Sequence, residues 1–115
     1  MHTPITTGID AVTCSLGEQL EAVAKIPADQ LGGVQSKSRI TRRLDRALRI
    51  MEKVRTATGR LAIAGPKKAR SELKTLIREV ERGIKKGDID PTIGNALIAE
   101  VQSTLESLQP LIKRR

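Results

Sequence analysis

Apolar residues recur every three or four positions in four segments of this 115-residue chain, which is typical of helices that bury one face. The segments are approximately residues 8–25, 34–58, 67–86 and 91–113. None of them shows the alternation of a strand. Because Phe, Trp and Tyr are absent, the core must consist of Leu, Ile, Val, Ala and Met, which suits close-packed helices. We predict an all-α fold, with a flexible N-terminus at residues 1–7 and a single four-helix domain at residues 8–113.

The clearest turn in the sequence precedes the last helix. Gly87 suits the left-handed position that ends a helix, and Lys85 and Lys86 lie favourably near the negative end of that helix. Asp90 can cap the next helix, because its side chain can accept a hydrogen bond from a backbone N–H of the first turn. Pro91 suits the first helical position, where the N–H that proline lacks would have no partner within the helix. The sequence therefore predicts a helix, a tight turn and a second helix.

Proline and glycine also mark the other boundaries. Gly65-Pro66 is expected to begin the third helix, so that residues 58–65 form a connection. Residues 26–33 form the first connection, and Pro110 is expected to kink or fray the last helix. Connections this short predict that consecutive helices pack antiparallel.

The apolar pattern repeats when the chain is shifted by 57 residues. The coinciding pairs are Leu16 with Leu73, Leu20 with Ile77, Val23 with Val80, Ile40 with Leu97, Leu44 with Val101, Leu48 with Leu105, and Met51 with Leu108. The pairs span two helices without a gap. The four helices are therefore interpreted as two similar antiparallel helical hairpins.

The second half of the chain resembles a known module. The stretch "ARSELKTLIREVERGIKKGDIDPTIGNALIAEVQSTLESL" is similar to the second half of the FIMAH-type helical domain. Residues 42–54, "RRLDRALRIMEKV", resemble the second helix of the same module. Such domains lie at or near the C-terminus of secreted bacterial hydrolases and surface proteins. The resemblance implies an appended structural or interaction module that brings no catalytic residues and no agreed ligand.

The residues that usually carry catalysis or bind metals are scarce. His2 is the only histidine and Cys14 the only cysteine, so neither a Ser-His-Asp nor a Cys-His arrangement is expected. Asp88 could begin a calcium loop, but Ile93 and Ala99 stand where that loop needs glycine and glutamate. We expect no enzyme activity, no cofactor, no catalytic residue and no metal ligand. Cys14 is expected to be partly exposed and unbonded.

Positive charge is concentrated in the middle of the chain, where residues 37–86 hold 17 Lys or Arg against 5 Asp or Glu. The second helix carries a basic row of Arg39, Arg43, Arg46 and Lys53, and the third carries a basic stripe of Arg70, Lys74, Arg78, Arg82 and Lys85. If the two helices are neighbours, the row and the stripe could merge into one possible polyanion-binding surface. The same helices also carry acidic side chains, and a solvated charged face is the alternative.

Two functions follow from these observations. The first is a non-catalytic structural or interaction module of a larger bacterial secreted or surface protein, whose partner is a protein or an acidic cell-surface polymer. The alternative is a small basic nucleic-acid-binding protein, which the absence of aromatic residues for base stacking disfavours. The first residues contain no secretory signal, and no apolar run approaches the roughly 18 residues of a membrane span. An excised module is expected to be extracellular or at the cell surface, and otherwise the protein is expected in the cytoplasm.

Overall fold

The computed structural model of this chain describes residues 8–56 and 60–113. The elements are α1 (Gly8–Lys25), a short 3₁₀ turn (Ala28–Gln30), α2 (Val34–Thr56), α3 (Arg60–Lys86) and α4 (Pro91–Lys113). Within the described ranges, an isolated antiparallel bridge between Leu31 and Ile89 is the only β pairing. The predicted all-α, four-helix fold is confirmed. The N-terminal segment 1–7, predicted to be flexible, lies outside the described residues.

The helices form a closed ring in which α1 and α3 each pack against α2 and α4. The first two helices run antiparallel, since Arg55 near the end of α2 pairs with Asp10 near the start of α1. At the other end, Lys37 donates hydrogen bonds to the carbonyl oxygens of Ala24 and Ile26. The predicted antiparallel packing is therefore confirmed for this hairpin.

The core is aliphatic, as the lack of aromatic residues requires. Leu16, Leu44, Leu73 and Val101 are fully buried in it, and Leu105 is half-buried against it. Among the described residues, Val34 is the large hydrophobic side chain left exposed, with 75% of its surface accessible.

The predicted start of the third helix is wrong. Helix α3 begins at Arg60 and continues through Gly65 and Pro66, which are both buried. Residues 60–65, the described part of the connection predicted at residues 58–65, are therefore helical. One proline removes a single backbone hydrogen bond, and we attribute the tolerance of Pro66 to the burial of this turn, which offsets that cost.

The fraying expected at Pro110 does not occur. Helix α4 continues past this residue to Lys113. Pro110 leaves the carbonyl of Glu106 without its helical donor, and both residues are exposed, so water can bind that carbonyl.

The two hairpins match closely. Helices α2 and α4 each contain 23 residues and begin 57 residues apart in the sequence. In each of the seven pairs related by that shift, both members have the same degree of burial: five pairs are buried, while Leu20 with Ile77 and Leu48 with Leu105 are half-buried. The interpretation as two similar hairpins is therefore supported residue by residue.

The connections of both hairpins lie at one end of the bundle and pair there. Besides the bridge between Leu31 and Ile89, the Asp90 N–H donates to the Gln30 carbonyl oxygen at 3.1 Å. Gly87 has a φ of 84°, and the Asp90 carboxylate accepts a hydrogen bond from the Thr92 N–H at 3.4 Å. The predicted glycine at the end of α3 and the predicted aspartate cap of α4 are thus confirmed.

Close contact holds the second connection against α3. A Cβ atom added to Gly83 would lie 2.4 Å from Cδ1 of Ile89, a separation that side chains do not tolerate. Glycine at this position therefore lets the Ile89 side chain lie directly on the backbone of α3.

In the part of the chain that the structure describes, no helix is both long enough and apolar enough to cross a membrane.

Candidate functional site

Arg43 of the basic row is bound within the seam between α2 and α3. Its Nε and one terminal nitrogen donate to the two carboxylate oxygens of Glu79, at 3.1 and 3.2 Å. Its other terminal nitrogen donates to Glu72 at 2.9 Å. The hydrogen bond to Glu79 is the main cause that raises the pKa of Arg43 above its usual value, against the opposing effect of burial. The side chain therefore keeps its charge at neutral pH, but that charge is already shared with two carboxylates.

Other arginines of α2 are also paired. Arg46 lies 3.9 Å from a Glu72 oxygen, Arg49 lies 2.8 Å from Asp45, and Arg55 lies 3.1 Å from Asp10. Lys53 is exposed in the last turn of α2. Most of the positive charge on this helix is therefore used in contacts within the molecule.

The basic stripe on α3 differs. Among the described residues, no hydrogen-bond or ion-pair partner lies within reach of Arg70, Lys74, Arg78, Arg82 or Lys85. Arg70 is half-buried and the other four are exposed. Of the predicted polyanion surface, the stripe and Arg39 of the row therefore have no partner among the described residues.

Carboxylates of α3 lie between the row and the stripe in the seam around Arg43, and the single polyanion-binding surface stays a prediction. A helix turns by about 100° per residue, so Glu72 and Glu79, seven residues apart, share one flank of α3. That flank meets Arg43, whereas the stripe is turned away from α2 and towards α4. The carboxylates therefore separate the two sets of cations.

The stripe borders an open recess between α3 and α4. Three of its cations, Arg78, Arg82 and Lys85, line this recess of about 560 Å³. Asn95 of α4 and Ile84 also line it, together with one carboxylate, that of Glu81. Asn95 could not be selected from the sequence, because its place in this recess depends on how α4 packs against α3.

A second recess brings one member of the row to the stripe. Arg39 of α2 lines it together with Arg82 and Lys86 of α3, and its volume is about 290 Å³. It lies where the two connections pair, so Ser36 at the start of α2 and Ile89 also line it. From the sequence, Lys86 is expected only to favour the negative end of α3. Its role in this recess could not be predicted without the pairing of the connections.

Cys14, the only cysteine of the chain, does not line either recess. Cys14 is a free, exposed thiol on α1, and its Sγ lies 3.9 Å from a Glu18 carboxylate oxygen. Its predicted exposure is confirmed. His2 lies outside the described residues.

Within residues 8–56 and 60–113, no group of three or more His, Cys, Asp or Glu side chains is arranged to hold a metal ion. Comparison of this chain with protein-family models, with curated proteins and with solved structures gives no match.

Proposed function

We propose that this chain is a non-catalytic interaction module that binds an acidic polymer through the basic stripe of α3. The observation that carries the proposal is the contrast between two neighbouring helices. Four of the six arginines of α2 pair with carboxylates, whereas the five cations of the stripe have no such partner among the described residues. Cations without a carboxylate partner in the fold are available to a ligand.

The geometry of the stripe suits an extended ligand. Its members follow spacings of four, four, four and three residues, so they span about 22 Å of helix at 1.5 Å per residue. A chain with regularly spaced negative charges can contact several of these cations at once. Such binding releases counterions and weakens steeply as salt is added.

Two further observations shape the proposal. The sequence contains a single histidine and a single cysteine, which supports a binding role over a catalytic one. The resemblance to FIMAH-type domains supports an appended module of a bacterial secreted or surface protein, with an acidic cell-surface polymer as the partner. Nucleic acid is the competing partner, and the absence of aromatic side chains for base stacking makes it the weaker candidate.

The test is a fluorescence anisotropy titration of labelled polyglutamate, a sulfated polysaccharide and mixed DNA and RNA at several salt concentrations. We expect an acidic polymer to bind in a saturable way, with a steep dependence on salt. DNA and RNA should bind more weakly than about 10 µM at physiological salt and with no sequence preference.

The control variants separate the basic stripe from net charge. Lys74→Glu with Arg78→Glu reverses two charges of the stripe, and Arg42→Glu with Arg49→Glu makes the same change on α2. We expect the first pair to weaken polymer binding at least about tenfold, and the second pair to have a much smaller effect. An equal loss in both double variants would show that only net charge matters. Tight, saturable binding of DNA or RNA at physiological salt would instead favour the nucleic-acid function.

A further inference from the structure

We infer that the recess between the start of α2 and the end of α3 binds the phosphate group of a phosphomonoester. This site goes beyond the proposed function, because one small anion would occupy it and no polymer is needed. Three cations converge on it from two helices: Arg39 from α2, and Arg82 and Lys86 from α3. None of the three has an ion-pair partner among the described residues.

Two acidic residues also line this recess, and one of them is already paired. Both carboxylate oxygens of Glu79 accept hydrogen bonds from Arg43. Asp88 is exposed and contributes one negative charge. The three cations therefore outnumber the uncompensated acidic charge, and the recess attracts anions.

Neutral donors supplement the cations. The amide of Gln35 and the hydroxyl of Ser36 line the recess from the first turn of α2. The N–H groups at a helix start point away from the helix and carry a partial positive charge. In α2 the first N–H with a backbone partner is that of Lys37, which donates to the Gly33 carbonyl oxygen at 3.0 Å. The N–H groups of residues 34–36 therefore remain available to an anion.

The walls of the recess are held in place before any ligand binds. The bridge between Leu31 and Ile89 joins the two connections, and Ile89 lies directly on Gly83. The volume of about 290 Å³ is near the lower end for small-molecule sites. A pre-formed recess of this size has room for a phosphate group and part of the molecule that carries it.

The composition of the cluster favours phosphate over a carboxylate. Guanidinium groups bind phosphate oxygens with two parallel hydrogen bonds, and an ammonium group adds a compact charge. A phosphomonoester dianion presents three oxygens to the two arginines and the lysine. A phosphodiester carries one charge fewer and should bind more weakly.

The experiment is an amide ¹H–¹⁵N NMR titration of the full chain at constant ionic strength. The probes are inorganic phosphate, glycerol phosphate and dimethyl phosphate, which distinguish free phosphate, a monoester and a diester. We expect saturable shifts confined to the amides around residues 32–39 and 82–89 for the first two probes. Glycerol phosphate should bind at least as tightly as inorganic phosphate, and dimethyl phosphate at least about fivefold more weakly.

Matched variants locate the binding. Arg39→Gln and Lys86→Gln, both at exposed positions, should each weaken glycerol phosphate binding about tenfold, as the loss of a charge-assisted hydrogen bond predicts. Arg70→Gln and Lys74→Gln, which remove charges of the basic stripe outside the recess, should leave it unchanged. Shifts that do not saturate, equal losses in all four variants, or a diester bound as tightly as the monoester would overturn the inference. Loss of polymer binding in the Lys74→Glu, Arg78→Glu variant with phosphate binding retained would separate this site from the proposed function.

Discussion

At the scale of single residues, Arg43 and Arg78 show how one side-chain type acquires two roles. Both lie on amphipathic helices, with carboxylates near them in the sequence. Arg43 is largely buried, with 24% of its side chain accessible, and it binds Glu72 and Glu79. Arg78 is exposed and has no such partner in the described part of the chain. What faces each residue across the bundle determines whether its charge holds the fold together or remains free for a ligand.

Replacing Arg43 by Gln should destabilise the fold by about 1–2 kcal/mol. The change removes a charge-assisted network and leaves the carboxylates of Glu72 and Glu79 without their arginine in a half-buried seam. Arg78→Gln is the matched control, and it should change the free energy of unfolding by less than about 0.5 kcal/mol. Urea unfolding followed by circular dichroism measures both. Equal effects of the two variants would show that the network contributes nothing to stability.

Truncating Leu44 to Ala should cost roughly 2–5 kcal/mol, because this side chain is fully buried in the core. Val34→Ala removes apolar atoms at an exposed position and should be nearly neutral. Thermal and urea unfolding of the two variants provide the comparison. A cost below about 1 kcal/mol for Leu44→Ala would contradict its central position.

At the scale of helices, the glycines of α1 and α3 have different reasons to be there. A Cβ added to Gly17 of α1 would meet nothing within 4 Å. One added to Gly83 of α3 would collide with Ile89. The glycine in α1 only weakens its helix, whereas the one in α3 is needed for the second connection to pack.

Gly17→Ala should therefore stabilise the protein by about 0.5–1 kcal/mol, the usual gain from replacing glycine within a helix. Gly83→Ala gains the same helix propensity but displaces Ile89, so we expect a net loss of stability. The midpoints of thermal unfolding for the two variants should move in opposite directions. A rise in both would mean that Ile89 can move aside at little cost.

The sequence predicted helix boundaries well where the stop signals are local. Residues 8–25 and 91–113 are helical as predicted, and α2 begins at the predicted residue 34. The start of α3 was predicted wrongly, because glycine followed by proline is typical of a helix start when only the neighbouring residues are considered. Burial of that turn is a tertiary effect, and the apolar character of residues 61–64 was its one sign in the sequence.

The candidate site could likewise be predicted only as far as local sequence patterns determine it. Helical periodicity correctly placed the five cations of the basic stripe on one side of α3. It could not show that Glu72 and Glu79 would face Arg43, since this depends on how α2 and α3 rotate against each other. The recess that contains Arg39 and Lys86 was missed because it forms only where the two connections meet.

At the scale of the whole molecule, the seam between α1 and α4 differs from its counterpart between α2 and α3 at one buried pair. Gln19 is 4% exposed and donates to the hydroxyl of Thr104 at 2.7 Å, while its own carbonyl oxygen has no partner among the described residues. The positions related to these two by the shift of 57 residues are Leu76 and Ala47, which are both buried. The seam between α1 and α4 thus holds a polar pair where the seam between α2 and α3 has apolar side chains.

Replacing Gln19 by Leu and Thr104 by Ala together should stabilise the protein by about 1–2 kcal/mol. The double change removes an unsatisfied buried oxygen and copies the apolar pair of the seam between α2 and α3. Thr104→Ala alone should be destabilising, because Gln19 then loses one of its two acceptors. Urea unfolding of the single and double variants tests this. A double variant less stable than the original protein would show that the polar pair is needed for α1 and α4 to pack.

The similarity of the hairpins also bears on how copies of this protein can meet. Each hairpin buries its apolar face against the other, through the contacts of α2 with α3 and of α1 with α4. Two chains that exchange hairpins would make the same contacts between molecules that one chain makes within itself. The free-energy difference between the monomer and such a domain-swapped dimer then comes mainly from the connection between the hairpins. That connection sets the effective concentration of one hairpin near the other within the same chain. High protein concentration, or any change that stiffens the connection between α2 and α3 in an extended form, shifts that balance towards the swapped dimer.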